Sequence, residues 1–241
     1  MNIYLDNNVY VDIEMRALTE EQFLSVPDSN YYYSDAHIGE LLEAFDSPLI
    51  SQEGRLSLIS RLCGKKEILT GCWEKPEFFE RDVIEVYRFS QKLPFQRLIN
   101  QMANNGYDIF MKIREKLGFD STIFNNENEN KVLEVIDQKM KEKLGIGLLS
   151  YLQSTEAFGG KPLYYTLINL INAANYWGDK KTEHSEVARV FDASHAYFAQ
   201  ICDLLVTNDK RMRAKTKAVY SFLGVKTQVV SVREYLHYSS H

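Results

Sequence analysis

Phe191-Asp192-Ala-Ser-His195-Ala-Tyr-Phe-Ala-Gln-Ile-Cys202-Asp203-Leu-Leu-Val206-Thr207-Asn208-Asp209 carries, in nineteen residues, the signals of a helix, a buried strand and an exposed carboxylate. Its first part sets Asp192 and His195 three residues apart on one helix face, while Ala196, Phe198, Ala199 and Cys202 supply apolar positions that pack the helix down. Asp203 is expected at the helix end, as a cap or surface residue. Leu204-Leu205-Val206 is an apolar run of the kind found in a central parallel strand covered on both faces. Thr207-Asn208-Asp209 then stands at the carboxyl end of that strand, where open α/β sheets bind their ligands. Lys210, Arg211, Arg213, Lys215 and Lys217 follow within eight residues. An acid beside a basic helix points to a metal ion and a phosphate.

The same design opens the chain. Ile3-Tyr4-Leu5 reads as a brief strand that delivers Asp6-Asn7-Asn8 ahead of a helix over 9–16. Tyr31-Tyr32-Tyr33 has strand composition, and Ser34 or Asp35 can cap the next helix, which carries His37 and Glu40 at i and i+3 with Ile38, Leu41, Leu42 and Phe45 on its core face. A helix over 56–62 stops at Gly64, 67–70 is the third strand, and Gly71 closes the block. From Lys75-Pro76 the pattern turns helical for about ninety residues. Helices are expected near 76–92, 95–117, 129–143 and 162–177, with Pro76 and Pro162 in first turns and Pro94 between two segments. The polar run 125–130 and Gly159-Gly160 read as loops. A last strand is expected over 227–231. The expected fold is therefore α/β: three α/β/α layers around a mainly parallel sheet, one domain over 1–241 with 75–165 as a helical insertion or cap.

At 241 residues and 45% hydrophobic content the chain can bury a sizeable core. A net charge of −5 and a pI near 5.6 argue against non-specific coating of nucleic acid, but leave room for a local basic groove. Cys63, Cys72 and Cys202 are an odd set without metal-ligand spacing, so reduced thiols in a cytoplasmic protein are expected. No basic leader precedes an apolar core at the start, and no run approaches the ~20 apolar residues of a membrane span. A nucleophile elbow and a Walker loop are both missing from the sequence.

Leu-Asp6-Asn-Asn8-Val, Ser34 and Glu40 at a strand-to-helix junction, Asp192 on a later helix and Val-Thr207-Asn208-Asp209 after a strand resemble, in order and setting, the PIN-domain nucleases. The likeness covers roughly 1–72 and 180–236, and Asn7 departs from the small hydroxyl residue frequent in that family. The resemblance implies that Asp6, Glu40, Asp192 and Asp209 converge to bind Mg²⁺ or Mn²⁺ and hydrolyse phosphodiester bonds. Asn8, Ser34, His37, His195, Thr207 and Asn208 would support that site. RNA is the expected substrate, with Lys210, Arg211, Arg213 and Lys215 drawing in the polyanion. The resemblance also permits a toxin or defence role, in which a protein partner masks the site. An oxygen-rich acid set suits hard divalent ions, which take one or two carboxylates plus water and phosphate.

Bland alternatives accompany each of these readings. The acids also serve as helix caps, the cations as a solvated helix face, and the histidines as packed or hydrogen-bonded helix residues. His37 with Glu40 and Asp192 with His195 are also reminiscent of di-iron bundles, although the residue order differs and the sites follow apparent strands. A non-catalytic protein that binds a partner through its helical middle is the remaining alternative.

Overall fold

Six strands form one sheet in the order β4-β3-β2-β1-β5-β6. They are β1 (Asn2–Leu5), β2 (Asn30–Ser34), β3 (Lys66–Thr70), β4 (Pro76–Glu80), β5 (Leu204–Val206) and β6 (Gln228–Val230). The computed structural model describes residues 1–43, 51–70, 75–93, 112, 114–118, 128–154, 159–178 and 183–238. All pairings are parallel except β3 with β4; Ile3 lies opposite both Tyr31 and Leu204, and Val206 opposite both Leu5 and Val230. The protein is thus α/β with a mixed, mostly parallel sheet, compatible with three α/β/α layers. The chain moves outward from β1 to β2 and β3, then returns to the other side of β1 for β5 and β6. The order therefore reverses between β1 and β5, and a crevice at their carboxyl ends is the favoured ligand position in such a sheet.

Parallel neighbours need crossover connections, and helices provide them. Asp6 caps α1 (Asn7–Glu14), its Oδ1 accepting from the Asn7 N–H at 2.8 Å. α2 (Glu21–Leu24) lies between α1 and β2, and α3 (Asp35–Glu43) leaves β2 directly. α4 (Gln52–Cys63) starts at Ser51, whose Oγ accepts from the Gly54 N–H, and stops at Gly64 with φ +60, a backbone state that glycine adopts without strain. Ile3, Leu5, Tyr10, Phe23, Leu58, Ile59 and Tyr235 are among the buried side chains of the resulting core. The buried Cys63 Sγ lies 3.3 Å from the Tyr10 hydroxyl, and burial pushes its thiol up to about 12. Cys72 lies outside the described residues.

The helix expected over 76–92 is corrected. Pro76–Glu80 is an antiparallel strand at the edge of the sheet, where the missing proline N–H is tolerated and aromatic residues favour extended backbone. The Phe78 ring packs 4.6 Å from that of Tyr32. α5 (Val83–Ser90) begins only after Asp82, whose Oδ1 accepts from the N–H groups of Ile84 and Glu85. Between β3 and β4, Arg81 grips the fully buried Glu67 with two hydrogen bonds, one of them 2.6 Å long. Burial still leaves the Glu67 carboxyl above the usual range, against the lowering by Arg81.

The chain divides into two compact units: Met1–Leu98, Phe198–Arg213 and Lys226–His241 form the first, and Ile99–Tyr197 with Ala214–Val225 the second. The whole sheet belongs to the first. The second takes in the helices Val132–Leu144, Leu148–Ser154 and Gly160–Ala173, and most of the helix Glu183–Ala199. Gly160, expected in a loop, is the first residue of its helix, and Pro162 falls in that first turn. Most of the helix expected over 95–117 lies outside the described residues. Ile136, Met140, Leu148, Leu167 and Ile171 are among the buried residues of this unit, and the Tyr164 ring meets those of Tyr197 and Tyr220 edge-on. Among the described residues no helix is long and apolar enough to cross a membrane.

Candidate active site at the ends of β1 and β5

Pairing of Leu5 with Val206 brings the segments that follow them side by side, although Asp6 and Thr207 are 201 positions apart. The Thr207 hydroxyl donates to Asp6 Oδ2 at 2.8 Å and accepts from the Asn8 side-chain amide at 2.9 Å and from the Asp209 N–H at 3.1 Å. One donor and two acceptor positions are all that a hydroxyl offers, so Thr207 is saturated and held in one orientation. Asn8 also donates to Asp6 Oδ2, and its Oδ1 accepts from the Asn208 N–H at 3.2 Å. Asn208 in turn donates from Nδ2 to Asp12 Oδ2 at 2.7 Å and accepts at Oδ1 from the Val232 N–H at 3.3 Å. Asp6 is buried, whereas Asp209 is exposed. Asp209 Oδ1 caps the helix Lys210–Leu223 by accepting from the Arg211 N–H at 2.7 Å and the Met212 N–H at 3.0 Å.

Glu40 lies on α3, the helix that follows β2. The Tyr4 hydroxyl is buried and lies 2.6 Å from Ser34 Oγ. Burial pushes it well above the usual phenol range, the Ser34 hydrogen bond opposes this, and the negative charges of Asp35, Asp6 and Glu40 add to it in that order. Asp6 after β1, Asp35 after β2 and Glu40 on α3 thus all raise the proton affinity of one hydroxyl. Asp35, expected only as a cap, is among them. The Thr207 hydroxyl links the Asp6 carboxylate to the Asp209 backbone N–H. Among the described residues, no three histidine, cysteine, aspartate or glutamate side chains stand as a ready group for a metal ion. Asp192, half-buried, and His195, fully buried, belong to the second unit, on the helix Glu183–Ala199.

His37 was expected to support the site or to serve as a packed or hydrogen-bonded helix residue, and the structure shows its hydrogen bonds. The ring is fully buried; Nε2–H donates to the Leu5 carbonyl at 2.8 Å and Nδ1 accepts from the Ser34 N–H at 3.1 Å. This fixes the neutral tautomer and ties the end of β1 to the end of β2. His37→Ala strands two buried backbone groups and opens a cavity, so it is expected to lower unfolding free energy by roughly 2–4 kcal/mol in urea melts. A change within experimental error would refute the bridging role.

Arg55 is the site-adjacent residue that motif reading missed. Its buried guanidinium donates from Nε and Nη2 to the two carboxylate oxygens of Glu14, at 2.8 and 2.6 Å, and from Nη1 to Asn7 Oδ1 at 2.6 Å. Asn7 is thereby anchored beside Asp6. A signal was present: Arg55 shares the i, i+3, i+4, i+7 face of α4 with Leu58, Ile59 and Leu62, all core residues.

The cations divide. Lys210 and Arg211 are exposed, while Arg213 is half-buried and donates to the Thr207 carbonyl at 3.2 Å. Lys215 is buried, which takes it off the surface where a phosphate would be met. Helical periodicity accounts for this, since Lys215 falls with Met212 and Val219 on the buried side. In comparisons with known proteins, no family model, no curated protein and no solved structure matches the chain.

Proposed function

We propose that the chain is a divalent-metal-dependent nuclease that hydrolyses phosphodiester bonds in RNA at the carboxyl ends of β1 and β5. The observation that supports this reading is that the Thr207 hydroxyl links the Asp6 carboxylate to the backbone N–H of Asp209 at the point where strand order reverses. The order of acids along the chain, which resembles the PIN-domain nucleases, supports it. The donor set is oxygen only, as a hard cation requires, and an open site needs only one or two carboxylates because water and phosphate complete the shell. Asp6 and Asp209 would hold the ion, with Glu40 adding negative charge nearby. Such an ion supplies Lewis acidity toward the phosphate and toward attacking water.

The chain's own residues do the rest. Thr207 and Asn8 fix the Asp6 carboxylate, so the oxygens need little reorganisation when a ligand arrives. Asp209 is fixed by the N–H groups it caps. Exposed Lys210 and Arg211, in the first turn after Asp209, attract a polyanion that an acidic protein would otherwise repel. Purified protein, freed of any partner, is expected to cut RNA with Mg²⁺ or Mn²⁺ present, to stop when a chelator is added and to weaken as salt rises. Cleavage that ignores the chelator would remove the proposal. The absence of cleavage on single-stranded RNA, structured RNA and DNA alike would favour a non-catalytic, partner-binding protein.

A further inference from the structure

A groove of about 470 Å³ opens beside Asn208 on the first unit, lined by Leu18, Asn208, Val232, Arg233, Leu236 and His237. We infer that it receives one unstacked base of a single-stranded nucleic acid, with Arg233 on the adjoining phosphate; this rests on the nuclease reading and adds strandedness to it. The volume lies within the roughly 300–1,000 Å³ of small-ligand sites. Leu18, Val232 and Leu236 give it apolar walls. Arg233 and His237, both exposed, stand at i and i+4 on the helix Val232–Tyr238 and so rim it from one side.

That helix is held firmly. Ser231 and Glu234 form a reciprocal capping box, the Ser231 N–H donating to Glu234 Oε2 at 2.6 Å and the Glu234 N–H to Ser231 Oγ at 3.2 Å. Tyr235 faces the core, stacked on Phe23 and 2.5 Å from the Tyr31 hydroxyl. The rim residues are therefore displayed on a fixed element. Asn208 joins groove to site, since its N–H and side chain bond Asn8, Asp12 and the Val232 N–H. Asn208, which lines the groove and bonds Asn8 of the site, would place a base in the groove beside the phosphate that faces the ion held by Asp6 and Asp209.

A base suits this lining because it is flat and apolar in its faces, and because guanidinium and imidazole groups stack on it while arginine also pairs with phosphate. Bases in a duplex are already stacked and paired, and extruding one costs a few kcal/mol. The groove consequently selects single strands. The test is fluorescence anisotropy of labelled single-stranded RNA, single-stranded DNA and duplex RNA in chelator, with wild type and the R233A/H237A double variant, both checked by thermal melts. Wild type is expected to favour single strands, and the double variant to bind them about tenfold more weakly. RNA bound more tightly than DNA would assign part of the contact to the ribose. Unchanged affinity in the double variant, or a preference for duplex, would overturn the inference. If cleavage fails while the double variant still loses single-strand affinity, the nuclease reading falls and the groove stands. Robust cleavage with unchanged affinity in the double variant would separate them in the opposite sense.

Discussion

Asp209→Asn is expected to reduce RNA cleavage by at least about a thousandfold while leaving a folded protein, because it removes charge from a proposed ion ligand without removing a cap. Asparagine is as good an N-cap as aspartate, so its oxygen can still accept from the Arg211 and Met212 N–H groups. Asp6→Asn is a less clean variant. Both Asp6 oxygens accept hydrogen bonds, Oδ1 from Asn7 and Oδ2 from Asn8 and Thr207, so an amide NH₂ would confront a donor on either side. Activity lost in Asp6→Asn alone would therefore be open to a structural explanation, whereas loss in Asp209→Asn with an unchanged melt is not. Cleavage retained at near wild-type rate in Asp209→Asn would contradict the proposed role of that carboxylate.

Glu14→Ala is expected to have the largest effect on stability. The Arg55 side chain is only 1% exposed, against 21% for Glu14. Removing Glu14 leaves the more deeply buried charge without its counter-ion, a situation that typically costs about 3–5 kcal/mol. Arg55→Met should cost less, since the surviving Glu14 carboxylate reaches solvent and the methionine stem refills part of the space. A urea series on both variants checks the order; Arg55→Met more damaging than Glu14→Ala would show that packing by the arginine stem outweighs the charge. Loss of Arg55 also frees Asn7, so activity measured alongside stability shows whether the anchor steadies the neighbouring Asp6.

The parallel strands β2 and β5, on either side of β1, were legible because their signals are local. Leu204-Leu205-Val206 and Tyr31-Tyr32-Tyr33 are short and apolar or aromatic, and both are strands. The acids after β1 and β5 were legible as helix caps, since Asp6 accepts from the Asn7 N–H and Asp209 from the Arg211 and Met212 N–H groups. What escaped depended on partners distant in sequence. Pro76-Glu-Phe-Phe-Glu80 lies next to a helical pattern and was merged with it although Asp82 marks the helix start; its strand state comes from pairing with β3. The burial of His37 could not be read from its spacing to Glu40, because its ligands are two backbone groups at the ends of different strands. Lys215 was grouped with its charged neighbours by composition, although helical phase puts it on the buried side. Arg55, by contrast, was readable from its place on a core face, and was passed over because it belongs to no motif.

The most direct test of the central claim is a calorimetric titration of Mn²⁺ into chelator-stripped protein, wild type beside Asp209→Asn. Saturable binding by wild type, weakened at least about tenfold in Asp209→Asn while Mg²⁺ competes in the wild type, is the predicted result for an open oxygen-ligand site between the ends of β1 and β5. No binding by wild type, or equal affinity in both proteins, would contradict it.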